Sequence, residues 1–469
     1  MKQFLSGPRA GISSGLPVLY TVAATQFIMP FMFSGVAVTL PVMGQEFGAG
    51  GTALGLVESI YLAATGALLL PLGRLADMAG HAPLFRSGVL LYAVSTLLLS
   101  FTQDMTTFIL LRLVQGTGAA MTMASNMALL TKAIPRSERG RAMGIAVASV
   151  YLGLSAGPFL GGAIATHLGW RWLYILGTPP LALAYLLARR NLKERWQPVT
   201  EPFDWAGAAL SVCAVGLAVF GGPRLAAGPG GILALAGSMV CGALFLVVES
   251  RTANPLLDLA LLRRNKTFSF ATAAQFINYA ATFGITFLFS LYLQNARGMT
   301  AQETGTVLLV QPLVQTLLSP LCGRLADSMP AHRIATAGMA CCTAGTLMAA
   351  MTGADTSMAF MLTMFVVLGV GFALFASPNM SIIMGSVQTG RYGIASAMAA
   401  SMRTLGMVLS MVLVTAAMSL HTGDAVVTAE NADAFISAMR WSFAVFSALG
   451  GFGVALSLFA SLSPDAPRE

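Results

Sequence analysis

Fourteen stretches of this chain are apolar for about 20 residues, the length needed to cross the hydrocarbon core of a bilayer. They run over 17–43, 53–73, 84–102, 106–131, 141–166, 171–188, 205–222, 230–249, 267–293, 303–323, 333–352, 357–386, 392–420 and 435–461. Between them only 9% of the 469 residues are charged, against about 25% in an average soluble domain, so the surface cannot be that of a water-borne globule. Disorder, coiled coil, collagen and a secreted disulfide scaffold are excluded on the same composition, and a polytopic all-α membrane protein remains. The first run is too long for the core of a signal peptide and no cleavage pattern follows it, so it is expected to persist in the mature protein. The connection between runs seven and eight, rich in Gly and Pro from Gly221 to Gly230, reads as a turn.

The basic balance of +8 is a topology signal. Of the 26 Lys and Arg residues, 20 fall in loops on the side of the N-terminus, four fall in the opposite loops, and Arg112 and Arg403 lie inside spans. Cytoplasmic loops carry such an excess, so both termini are expected in the cytoplasm, with the protein in the cytoplasmic membrane. No nucleic-acid partner is implied. The five cysteines are odd in number and contain no C-x-x-C, so neither a disulfide framework nor a metal site is expected.

An internal repeat sets the domain plan. The sequence GRLAD occurs at Gly73–Asp77 and again at Gly323–Asp327, each time after the second span of a half, provided that spans seven and eight are an insertion. Duplicated six-span halves with a site between them at mid-membrane are a transporter architecture. The expected plan is a six-helix bundle over 1–190, a linker with two extra spans over 191–260, and a second six-helix bundle over 261–469.

Several segments resemble the major facilitator superfamily, and within it the fourteen-span drug:proton antiporter branch. GRLADMAGH at 73–81 is similar to the family signature after span 2, and RLVQGTGAA at 112–120 to that of span 4. GLSAGPFLGG at 153–162 matches the antiporter signature G-x-x-x-G-P-x-x-G-G, and the run Trp170, Arg171, Trp172 that follows is typical of the branch. FDWAG at 203–207, and Glu249 to Asp258, resemble the branch's motifs around its extra spans. The likeness covers essentially the whole chain. Two positions depart from it. No acid precedes Thr39-Leu40-Pro41, where Met32 stands near the family's usual carboxylate, and Met78, His81 and Ala82 replace basic residues of the first loop signature.

The resemblance implies that Gly73, Asp77 and Gly80, with the duplicate Asp327, work as a conformational latch; an ordinary charged turn is the plainer reading. Gly153, Gly157 and Gly161 form a small-residue ridge with Pro158 beside it, suited either to an interface that rocks or to static close packing. Arg112 lies about 12 Å beyond Asp104 along its helix and must face protein or a wet cavity, binding substrate, tuning a carboxylate, or being held by backbone carbonyls. Glu58 is the one carboxylate placed inside a span, so with Arg112 it is the proton-coupling candidate; a glutamate snorkelling to the outer interface is the alternative. Glu303 is similarly ambiguous at the outer end of its span. By resemblance, spans 1, 4, 9 and 12 line the cavity, which selects Gln26, Gln115, Gln275, Asn278 and Asn379, each equally explicable by interhelical hydrogen bonding. Met29 and Met32, with Phe33 beside them, are the candidates for a pliable substrate wall. Copper binding has little support, since few thiols or imidazoles are placed to join the methionine sulfurs in a span. The stretch 419–434 reads as a solvated outer loop.

No Walker-type phosphate loop occurs, so ATP is not the energy source, and neither cofactor nor catalytic set is expected: the chain is not read as an enzyme. The expected function is export of amphipathic small molecules by alternating access, with inward proton flow as driving force. Lacking a first-span acid, the cavity suits neutral, zwitterionic or anionic lipophiles, with Arg112 available to a negative group. A narrow exporter or uniporter of one metabolite or lipid is the alternative. Family precedent makes the protein a monomer.

Overall fold

The computed structural model describes residues 15–135, 138–192, 202–252, 254–388, 392–428 and 431–462. Every regular element among them is helical: α1 (Leu16–Phe47), α2 (Gly51–Ala79), α3 (His81–Leu99), α4 (Met105–Ala133), α5 (Arg139–His167), α6 (Arg171–Asn191), α7 (Trp205–Gly221), α8 (Pro229–Glu249), α9 (Leu259–Arg264), α10 (Lys266–Thr282), α11 (Gly284–Leu291), α12 (Ala301–Ser328), α13 (Ala331–Ala350), α14 (Met358–Gly385), α15 (Tyr392–His421) and α16 (Ala432–Leu462). Eleven helical rods among the described residues are long and apolar enough to cross a membrane. The helices α4, α6 and α13 are not among the eleven. Arg112, Gln115 and Asn126 dilute α4, three arginines and a Pro–Pro pair dilute α6, and α13 is built largely of Ala, Gly and Thr. The protein is therefore a multi-pass membrane protein.

The chain ends its helices where side chains can serve the orphan N–H groups. Asp104, Asp204, Asp258, Asn265, Thr300 and Ser357 each accept a backbone N–H of the first turn that follows. Glu303 completes a capping box with Thr300, accepting its N–H at 2.8 Å, which resolves its ambiguous role in favour of a local structural one. Gly80 sits at φ +102°, joining α2 to α3 by a turn that a side chain would strain. One expected span, 267–293, is a longer rod with an interrupted ladder. The N–H of Gly284 is donated to the Ser410 hydroxyl at 2.9 Å, dividing α10 from α11, and a π turn follows at Tyr292–Ala296.

Helices α1 to α6 pack on one another, as do α10 to α16, and the two groups meet mainly along α5 with α12 and α2 with α15. The repeat makes α2 the counterpart of α12, and order within each group makes α5 that of α15. These two seams are thus one seam used twice about a pseudo-twofold axis. The α7–α8 hairpin lies outside, against α2 and α15. Its exposed Leu233, Met239 and Val240 suit acyl chains. At its base Asp204 caps α7 and Glu249 accepts the Leu257 N–H at 3.0 Å, fastening the following linker to the hairpin.

The two groups are closed against each other at one end, where α1 finishes and α2 starts. Thr52 donates to the Asp424 carboxylate at 2.7 Å, Ser290 to the Ala37 carbonyl at 2.7 Å, and Gln294 to the Val38 carbonyl at 2.9 Å. The Gln302 N–H reaches the Thr166 hydroxyl at 3.0 Å. The stretch 419–434, read above as a solvated loop, takes part: Asp424 and Ala425 bond to the start of α2, and Val427 is buried. Trp170 and Arg171 both bond Glu46, tying α6 to the end of α1 at this closed face.

Candidate functional site

A cavity of about 240 Å³ lies between the two groups at mid-depth. A vestibule of about 550 Å³ adjoins it, lined near the ends of α2 and α14 and the start of α15. Gln26, Met123, Asn126, Val150, Tyr151 and Arg403 line both and form the neck between them. The molecule is thus sealed at one end and hollow toward the other, the end at which α1 begins.

The inner cavity is walled by aromatic and thioether groups. Phe33 stacks on Tyr61 at 5.0 Å between centroids and on Phe283 at 5.8 Å, so one aromatic row joins the two groups of helices. Met29, Met123 and Met407 supply deformable apolar surface, and Gln311 and Gln315 from α12 add amides. Glu58 also lines this cavity while being only 1% exposed, so its side chain is enclosed by protein.

Beneath Glu58 lies Arg112, with no exposed surface. Its guanidinium donates to the Gln115 side-chain oxygen at 2.7 Å and to the Val57 carbonyl at 3.4 Å, and lies 4.4 Å from the Tyr61 ring centroid. The Glu58 carboxylate is 3.9 Å away, and neither of its oxygens accepts a hydrogen bond. As carboxylate and guanidinium the two charges offset each other, and a proton on Glu58 leaves the arginine charge unbalanced beside the cavity.

Of the substrate residues expected from sequence, Gln26, Met29 and Phe33 line the cavity. Met32 is fully buried against Gly177 on α6 instead. Arg112 and Gln115 do not face the cavity, since Gln115 bridges Arg112 and the Thr96 hydroxyl. Gln275 donates to the Ala399 carbonyl at 3.2 Å, and Asn379 to the Ala271 carbonyl at 3.1 Å, so both are spent tying α10 to α15 and α14. Asn278 is buried beside them, outside the cavity lining. Sequence reasoning passed over Tyr61, Tyr151, Tyr279, Phe283 and Arg403. Arg403 carried the same signal as Arg112, a cation inside a span, and only the rotation of its helix separates the two.

The conformational residues divide similarly. Gly73 and Asp77 line the vestibule, with Asp77 3.2 Å from His81. A side chain at Gly73 would meet nothing within 4 Å, so no close helix approach is made there. The side chain of Asp327 lies outside the described residues. The ridge of Gly153, Gly157 and Gly161 packs inside one bundle, against Phe27, Phe31, Ser34 and Gly35 of α1. The approach across the groups at this level is made by the other face of α5, where Gly162 abuts the Ala301 carbonyl and Gly305 abuts the Pro158 carbonyl. Of this signature, then, Pro158 lies on the seam between groups and the three ridge glycines on the seam within one. Spacing alone identifies a flat helix face but not which neighbour fills it.

Paired helical groups around a central chamber, closed at one end and open at the other, are the architecture of a membrane transporter. The chain belongs to the Major Facilitator Superfamily, whose model matches residues 22–411 and 271–469. It is 30% identical over 376 residues to the multidrug resistance protein Stp of Mycobacterium tuberculosis (strain H37Rv), covering 79% of this chain and 70% of that one. The riboflavin transporter RibZ of Clostridioides difficile (strain 630) is 28% identical over 375 residues, covering 79% and 80%. The multidrug efflux pump LfrA of Mycolicibacterium smegmatis is 27% identical over 381 residues, covering 80% and 75%. Among solved structures, a bacterial homologue of the lysosomal transporter Spinster, in an inward-facing and unoccupied conformation, aligns with a TM-score of 0.67 at 15% identity, covering 96% of this chain and 98% of that one. A structure from work on proton-dependent oligopeptide transporters aligns with a TM-score of 0.66 at 17% identity, with the same coverage. At such identities these two speak for the fold alone.

Proposed function

We propose that this chain is a fourteen-span exporter of amphipathic, lipophilic small molecules, working as a monomer in the cytoplasmic membrane by alternating access coupled to inward proton flow. In this reading the bundles of 1–190 and 261–469 rock about the central cavity, the insertion at 191–260 rides outside, and the open end of the chamber, like both termini, faces the cytoplasm. The observation that carries it is the placement of Glu58: a carboxylate lining a mid-depth chamber, paired with a buried arginine and shut off from the closed face. A proton arriving there and a substrate arriving in the chamber meet one electrostatic environment, which is what coupling needs. The multidrug names of several relatives favour a broad substrate range, and the aromatic and methionine walls suit one.

The test is dye efflux from purified protein in proteoliposomes, with and without an imposed pH gradient, for wild type and Glu58→Gln. Uphill transport driven by the gradient in wild type, and only downhill transport in the variant, supports the reading. Wild-type transport that ignores the gradient refutes proton coupling and leaves a facilitator. A second reading, a narrow exporter or uniporter of one metabolite, is favoured by the similarity to a riboflavin transporter. Saturable transport of a single compound among many tested would select it.

A further inference from the structure

Arg403 occupies the neck of the chamber, about 16 Å along α15 from its first residue, and so near the middle of the membrane on the reading above. A cation at that depth needs protein partners or water. The contrast with Arg112 is informative. Arg112 is fully enclosed and held by an amide oxygen, a carbonyl and an aromatic face, with a carboxylate 3.9 Å away. Arg403 is half-buried, lines both parts of the chamber, and has neither a carboxylate nor a backbone carbonyl as partner among the described residues. It shares the lining of the inner cavity with Tyr279, and that of both parts of the chamber with Tyr151 of the opposite group of helices.

The inner cavity has two charged lining residues among those described, Glu58 and Arg403. With Arg112 3.9 Å behind Glu58, the positive charge of Arg403 is not offset within the chamber, whose lining also carries the hydroxyl and amide groups of Tyr151, Tyr279, Gln26 and Asn126. A guanidinium in a chamber lined by further donors is matched by an acidic oxygen group, which accepts from several donors at once. We infer that Arg403, with the tyrosines Tyr151 and Tyr279 that line the same cavity, forms a binding site for the acidic group (carboxylate, sulfonate or phenolate) of an amphipathic organic anion. The apolar body of that ligand lies in the inner cavity against the Phe33–Tyr61–Phe283 row. This assignment rests on the reading of the chamber as the substrate site, and it replaces Arg112 as the receptor for a negative group.

The experiment compares three probes that share one ring system: 2-naphthoate, 2-naphthamide and 2-naphthylmethylammonium. Binding to the full-length protein is measured by titration calorimetry, and uptake by the same protein in phosphatidylcholine vesicles. Wild type should bind the naphthoate about tenfold or more tightly than the amide, a charge-assisted contact being worth about that ratio, and the ammonium most weakly. Arg403→Gln should abolish the naphthoate preference while leaving amide affinity within about twofold, and Arg403→Lys should restore part of it. Should Arg403→Gln fail to fold, Tyr279→Phe removes one lining hydroxyl alone and should weaken the anion selectively. Equal affinity for the three probes in wild type, or an equal fall for anion and amide in the variants, overturns the inference. Charge-selective binding without uptake of any probe would uphold this site and overturn the exporter reading. Uptake of all probes without charge preference would do the reverse.

Discussion

Replacing Arg112 by Met strips a buried cluster of its only cation, and the geometry sets the expected cost. The Gln115 oxygen loses a donor at 2.7 Å, and the Glu58 carboxylate, 3.9 Å away and without any hydrogen bond, loses its counter-charge. Leaving one member of a buried pair uncompensated costs about 3–5 kcal/mol. Glu58→Gln should cost less, about 1–2 kcal/mol, because no hydrogen bond to the carboxylate is broken and the guanidinium keeps Gln115, the Val57 carbonyl and the Tyr61 ring. The double variant should cost less than the sum by about 1–3 kcal/mol, the range found for residues sharing one network. The assay is reversible unfolding in mixed detergent–lipid micelles, for wild type, both single variants and the double variant. If the two costs add to within about 0.5 kcal/mol, the residues do not act as a pair and the coupling argument built on them falls.

Other perturbations separate structural from functional roles. Thr52→Val deletes the 2.7 Å bond to Asp424 that closes one end. A net loss of about 1 kcal/mol should shift the open-to-closed ratio of that end about fivefold, readable as distance distributions between spin labels placed across it. Gly157→Val drives a side chain into Ser34 and the Phe31 carbonyl within one bundle, so folded monomer recovered by size exclusion should fall sharply. Gly305→Val instead crowds the Pro158 carbonyl between bundles. It should leave the protein folded while increasing thiol labelling of Ser290→Cys in a background lacking native cysteines; unchanged labelling would contradict the seam described here. Met32→Ala, at a fully buried position outside the cavity lining, should cost about 2–5 kcal/mol in the same unfolding assay with an unchanged substrate profile, whereas Met29→Ala, at a buried position that lines the cavity, should alter the profile as well.

The sequence by itself determined the environment, the architecture and the family. Long apolar runs with few charges leave helices as the solution to backbone hydrogen bonding in lipid. The repeat at Gly73 and Gly323 marked two halves, and Gly and Pro between 221 and 230 marked the turn of the outlying hairpin. Capping chemistry at Asp104 and Asp258 was equally local. What only the tertiary structure decided was which face of each helix meets which neighbour. Hydropathy reports that a residue sits in a span but is nearly blind to rotation when a helix is apolar all round, and one residue turns the face by about 100°. Arg112 and Arg403 therefore looked alike, yet one is sealed under Glu58 and the other stands in the neck of the chamber. For the same reason Gln275 and Asn379 tie helices together while Gln311 and Gln315 face the cavity, and the ridge of Gly153 to Gly161 meets α1, a neighbour that its spacing does not name. The stretch 419–434 became part of the seal because Asp424 found Thr52, a partner more than 370 residues away that no local pattern announces.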